Sequence, residues 1–261
     1  VGYLIRSRIK LMAIVRITYN GQMSCRLCGV VLSPINKCNA HIFPSSLLKL
    51  LAPGEYGSIK IVGTEMDRAK RTPIGSYDCN ILCATCDNKV GIYDGYSRRF
   101  MENSVLVPHP SGAGWTIDNV DQHKLKMFCI SYLWRASITN LSEFKAVSLG
   151  TVHEERMRQM ILNDNSGGVN DYTVSLQKFS NDDGNFGGIL LLARTRLVGL
   201  NVYEGYLPHG YKFWVKVDSR NEDKLSAISV GAAEPLFVGD RGNFHTSVEK
   251  TIIVRTAMRS K

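Results

Sequence analysis

Apolar positions change their spacing several times along the chain, and those changes sketch the elements. "SSLLKLL" at 45–51 reads as a short helix, with Ser45 or Ser46 placed to cap it. "SIKIVG" at 58–63 alternates polar and apolar residues, the period of a half-buried strand. From about residue 84 the spacing lengthens: Tyr93, Tyr96 and Phe100 stand at helical intervals and read as core. A second stripe, Leu125, Phe128, Cys129, Tyr132, Leu133 and Ala136, predicts an amphipathic helix over 124–138. Trp134 and Arg135 lie off that stripe, in the core by default or facing a partner. Thr151 and Glu154 stand in capping-box relation, so "TVHEERMRQMIL" opens a further helix. After about 172, "YTVSLQKF", "GGILLLARTRLVGLNVY" and "YKFWVKV" are β-rich runs broken by "NDDGNFGG" and "LPHG", the pattern of a mostly antiparallel sheet.

The expected class is therefore α+β. Its parts are an N-terminal extension or strand (1–22), a cysteine-bearing module (23–107), linking helices (108–165) and a β-rich C-terminal part (166–261). The loop "PHPSGAGW" at 108–115 marks one boundary by its prolines and glycines. Residues 11–18 read either as an ordinary strand or as part of an upstream extension, if Met23 is the natural start. At 261 residues the chain can bury a proper core. No apolar run reaches the roughly 18 residues of a membrane span, and Arg16 with no small-residue cleavage site argues against a signal peptide.

Formal charge is +9, with an excess of +4 in residues 1–22, +3 in 23–103 and +2 in 104–261. Because no long polybasic run concentrates it, this balance permits a polyanionic partner without identifying one. "NFGG" is not a phosphate loop, since no Lys-Ser/Thr follows. His109, His209 and His245 are isolated and receive no role.

The cysteines change the picture most. Of seven, four form two C-x-x-C pairs, "CRLC" at 25–28 and "CATC" at 83–86. A two-residue spacer brings both sulfurs of a pair to one ion, so Cys25, Cys28, Cys83 and Cys86 match a structural tetrahedral Zn²⁺ site. With no secretory signal a reducing, cytoplasmic setting is expected, where paired cysteines hold metal more often than disulfides. A redox reading explains one pair but not a matched second. The 54 residues between Cys28 and Cys83 exceed a simple zinc ribbon, so the insert must itself fold. A rival ligand set pairs Cys38 and His41, as C-x-x-H, with one of the C-x-x-C pairs. Cys79 and Cys129 read as ordinary buried thiols.

The order C-x-x-C, then "AHIFP", then "NILCATCD" resembles the zinc-containing HNH endonuclease superfamily. The string "RTPIGSYDCNILCATCDNKVGIYDGYSRRF" and the later "YLWRAS" are similar to a bacterial branch of HNH-related proteins, and the likeness spans roughly residues 23–160. It implies a ββα-metal unit clamped by the cysteine pairs. It also implies that His41 is the general base activating water and that Asn80 orients that histidine or the strand geometry around it. Asp87 would then hold a catalytic divalent ion such as Mg²⁺. These residue types suit the chemistry: a neutral imidazole accepts a proton near pH 7, and a hard cation takes oxygen ligands. The implied activity is metal-dependent hydrolysis of a nucleic-acid phosphodiester, DNA before RNA. One departure is Ala40, where many active members carry a metal-binding aspartate; Asp78 and Asp94 are nearby in sequence. The alternative is a non-cleaving zinc module that binds nucleic acid or serves structure. Arg68, Lys70, Arg71, Arg98 and Arg99 are the candidate phosphate contacts, with solvated turns and faces as the plainer reading.

Overall fold

The computed structural model describes residues 22–51, 60–62, 70–71, 75–180, 188–190 and 192–258. The strand expected at 11–18 and Arg68 lie outside them. The first half runs β1 (Ala40–His41), α1 (Ser45–Leu51), β2 (Lys60–Val62), β3 (Lys70–Arg71), β4 (Tyr77–Asp78) and α2 (Ala84–Asn103). It continues through β5 (Val107–Pro108) and β6 (Gly114–Ile117) to α3 (Gln122–Ile138) and α4 (Thr151–Leu162). There follow β7 (Val174–Lys178), β8 (Gly188–Leu190), β9 (Ala193–Leu197), β10 (Leu200–Tyr206), β11 (Tyr211–Lys216), α5 (Asp223–Ala227), β12 (Leu236–Asp240) and α6 (Val248–Met258). The class is α+β, as expected.

Three sheets are present among the described residues. β1 and β4 form an antiparallel ribbon, with Ala40 opposite Asp78 and His41 opposite Tyr77. A seven-stranded sheet has the order β5-β6-β12-β7-β11-β10-β9, antiparallel except where β12 meets β7. A small sheet orders β3-β2-β8. Lys70 and Arg71 thus lie in a strand, not in the loop that "MDRAKR" suggests. The large sheet joins β5 and β6 to strands from after residue 173, so its ladder and the buried core run continuously across 107/108 and 165/166.

α3 organises the molecule. The sequence stripe predicts an amphipathic helix, yet every residue from Leu125 to Ala136 is buried, Trp134 and Arg135 included. A helix packed on all sides is an internal helix, and its polar residues must then find internal partners. Lys126 donates to the Gly168 carbonyl at 2.7 Å, and Arg135 binds into the N-terminal half. Tyr132 meets Phe43 edge-on at 5.4 Å and Phe213 of β11 at 6.1 Å, tying α3 both to the ribbon side and to the sheet. Phe213 covers Gly205 so closely that a Cβ there would stand 2.4 Å from its ring, which explains the glycine in mid-strand.

Two caps differ from the sequence expectation. α1 begins on Ser45 itself, with the N–H groups of Leu47 and Leu48 donating to the Pro44 carbonyl. α4 is entered through Gly150 at φ +76°, and Glu154 accepts from Ser137 in place of closing a capping box with Thr151. α6, for which the sequence pattern offers no prediction, packs Ile252 and Ile253 beside Phe179 and Tyr206. It is also held by buried Glu249, which accepts from Tyr206 at 2.9 Å and Lys212 at 3.2 Å.

Candidate functional site

The first cysteine pair sits in a knuckle. Cys25 donates its N–H to Val30, Gly29 donates to Cys25, and Gly29 takes φ +83°, a conformation natural to glycine. The knuckle docks on the second pair through Arg26 N–H to the Ile81 carbonyl at 2.8 Å. Cys83 is the residue before α2 and Cys86 lies in its first turn. The four sulfurs lie within 4.8 Å of one another, and Cys28 and Cys83 are 3.9 Å apart. Tetrahedral zinc with bonds of about 2.3 Å requires sulfur separations of about 3.8 Å, so the donor set fits.

Electrostatics point the same way. Burial pushes the Cys25 thiol up, but the N–H groups of Cys28, Cys83 and Leu27 outweigh it and the group falls below its ordinary value. Cys28 and Cys86 are both raised, by burial first; Cys25 opposes their ionisation. Sulfurs this close cannot all ionise unaided, and a divalent cation removes that conflict. Arg158 donates to the Leu27 carbonyl, and its guanidinium is favoured by Glu155 first and then by Cys25 and Cys28. The quartet can therefore hold a metal ion such as zinc. The rival set with Cys38 and His41 is not the one assembled. The Cys38 thiol donates to the Leu82 carbonyl at 3.5 Å and is pushed up to about 11, chiefly by burial.

Beside the quartet stands the ribbon. His41 ends β1 half-buried, and its Nε2 is buried with no hydrogen-bond partner. Asp87 lies in the first turn of α2, at the helix end that favours an anion. Burial pushes its carboxyl above the ordinary value; Arg135 and His41 oppose that shift and Asp94 adds to it. Those four side chains therefore share one electrostatic neighbourhood. Arg135, 1% exposed, forms a fork with Asp94 at 2.8 and 2.7 Å and donates to the His41 carbonyl at 2.8 Å. No hydrogen bond from a described residue reaches the Asp87 carboxylate.

Asn80 makes its hydrogen bonds within its own turn. Its N–H donates to Asp78 Oδ1 at 2.9 Å and its Oδ1 accepts from the Cys79 thiol at 3.7 Å. Asp78 is buried and also accepts from Thr139 at 2.8 Å, so it holds the turn between β4 and α2. Arg98 is engaged by Glu102 at 2.9 Å, and exposed Arg99 lies over the Tyr96 ring at 5.9 Å. Arg99 is twelve residues past Asp87, about 18 Å along the helix. Only the backbone of Lys70 and Arg71 is described. Sequence reasoning gave Arg135 no role at the site: it read the residue as off the stripe and in the core by default, which its burial bears out, but spacing could not show its link to His41 and Asp94.

Among the described residues, the cysteine quartet alone gathers three or more His, Cys, Asp or Glu donors tightly enough for a metal ion. No described helix is long and apolar enough to cross a membrane. No family model matches the chain, and neither a curated protein nor a solved structure does.

Proposed function

We propose that this protein is an HNH-like nuclease that hydrolyses nucleic-acid phosphodiesters, DNA by preference, with His41 as general base. One observation carries the reading: the His41 imidazole, whose buried Nε2 has no hydrogen-bond partner, acts electrostatically on the half-buried Asp87 carboxyl, which accepts no hydrogen bond from a described residue. Buried polar groups are nearly always satisfied, and exceptions concentrate where chemistry needs them free. The topology supports it, since an antiparallel ribbon bearing His41 leads into a helix bearing Asp87, and a four-cysteine clasp joins the base of both.

In this reading Cys25, Cys28, Cys83 and Cys86 hold a structural Zn²⁺ that keeps the knuckle on α2. Nε2 of His41 takes the proton from the attacking water, and its burial holds the imidazole in one place. Asp87 would hold a hard divalent ion such as Mg²⁺, which characteristically binds through one or two carboxylates together with water and substrate phosphate. Bound there, such an ion supplies stabilisation of charge on the scissile phosphate. Asn80 would orient His41 or the strand geometry around it; its side-chain oxygen accepts from the Cys79 thiol in the turn between ribbon and helix. Four free thiols in one cluster suit a reducing compartment such as the cytoplasm.

A second reading has its own observation. Ala40 offers no ligand, and both Asp94 oxygens are taken by Arg135, which leaves one free carboxylate. That pattern favours a zinc module that binds nucleic acid without cutting it. Plasmid nicking with Mg²⁺ or Mn²⁺ separates the two, with zinc content measured on every sample. Wild type should nick and His41→Ala should not. Nicking that survives His41→Ala refutes the base assignment, and DNA binding without any cleavage selects the module.

A further inference from the structure

We infer that Arg135 is the positioning residue for His41: clamped by Asp94, it holds the His41 carbonyl and so fixes where the imidazole stands. This rests on the reading of His41 as base. β1 is only two residues long, so its ladder gives the histidine little support. The peptide joining His41 to Ile42 donates its N–H to Ser76 on the β4 side at 3.0 Å. The carbonyl of the same planar peptide therefore points to the opposite edge, away from β4. There it meets Arg135 Nη1 at 2.8 Å.

The guanidinium is itself pinned. Nη1 and Nη2 grip the two Asp94 oxygens, and Nε donates to the Ser131 carbonyl at 3.3 Å. One buried side chain thus joins the three elements that carry the site: β1 with His41, α2 with Asp87 and Asp94, and α3. Lysine cannot reproduce this. It carries the charge but lacks the planar fork that serves a carboxylate and a carbonyl at once. Because Asp94 neutralises Arg135, the clamp sets position while leaving Asp87 without a direct partner.

The test compares Arg135→Lys, Asp94→Asn and their double variant with wild type. Single-turnover plasmid nicking is corrected for folded, zinc-loaded protein by metal analysis and near-UV circular dichroism. The His41 imidazole resonances, assigned with His41→Gln, are read on the same samples without DNA. Arg135→Lys should lower kcat by about 10²-fold, the cost of a misplacement near 1 Å, with KM for DNA unchanged. The His41 resonances should move in step, and the double variant should lose little more than Arg135→Lys alone, as expected of residues that act as a unit. Wild-type kcat with unmoved resonances in Arg135→Lys overturns the inference. So does a loss explained wholly by fewer folded molecules, or one that appears in KM alone. A wild type that never nicks defeats the nuclease reading. The resonances then decide the clamp: displaced by Arg135→Lys they uphold it, unmoved they refute it.

Discussion

The cysteine quartet and the His41–Asp87 pair lie side by side, but their polar groups are organised in opposite ways. Four sulfurs converge within 4.8 Å, with backbone donors on Cys25 and Arg158 close by, so the quartet could hold a metal ion with every position taken by a cysteine. His41 Nε2 is buried with no hydrogen-bond partner, and no hydrogen bond from a described residue reaches the Asp87 carboxylate. A structural metal site closes every position with protein ligands, whereas the proposed reactive pair carries no described hydrogen-bond partner on its imidazole Nε2 or its carboxylate. Arg135 and Asp94 form the boundary between the two: a fully paired buried charge set whose free valence goes to the His41 backbone.

If this contrast is right, the closed site should dominate stability. Cys83→Ser, or exhaustive chelation, should bring zinc content near zero and abolish the cooperative unfolding transition of residues around the knuckle, because structural zinc contributes about 10–16 kcal/mol in small domains. Zinc-free protein with an unchanged melting curve would erase the distinction. The next largest effect belongs to the boundary. Arg135→Met leaves Asp94 unpaired and should cost about 3–5 kcal/mol in urea unfolding, and adding Asp94→Leu should recover much of it. An unaltered midpoint in the single variant would show that the fork contributes nothing.

The open site should show the reverse pattern. His41→Ala should remove about 10²–10⁴-fold of nicking activity, the usual contribution of a general base. Its unfolding free energy should change little, because Nε2 makes no bond to lose. Smallest is a gain. An acid whose folded pKa lies above its ordinary 3.8 destabilises the fold once ionised, fully so above the folded value and not at all below the unfolded one. Asp87→Asn should therefore raise the melting temperature slightly at pH 7 and leave it unchanged near pH 3, while nicking is lost. A lower melting temperature at pH 7 would mean that the carboxylate is satisfied after all.

How much of this was legible in the sequence differs by element. The quartet was read residue for residue, because C-x-x-C spacing brings two sulfurs together by local geometry alone. α2 and its Asp87 were read as well, since a helix start and a first-turn position depend on near neighbours. Asn80 was expected to orient His41 or the strand geometry around it; its backbone N–H bonds Asp78 and its side-chain oxygen accepts from Cys79, turn contacts that spacing does not encode. Lys70 and Arg71 were expected in a loop and lie in β3, because parallel pairing of β2 with distant β8 builds a sheet there. The capping box at Thr151 gave way to Gly150, once Glu154 found Ser137 across the α3–α4 contact.

By itself the sequence determined the α+β class, the helix beginning near residue 84 and the four cysteines that converge. Each depends on short-range spacing, which covalent geometry converts directly into shared faces. Only the tertiary structure decided that α3 is internal, that Arg135 joins His41 to Asp94, and that Nε2 is left without a partner. Those outcomes depend on which surfaces close over which, across separations such as the 94 positions from His41 to Arg135. No local pattern carries that information.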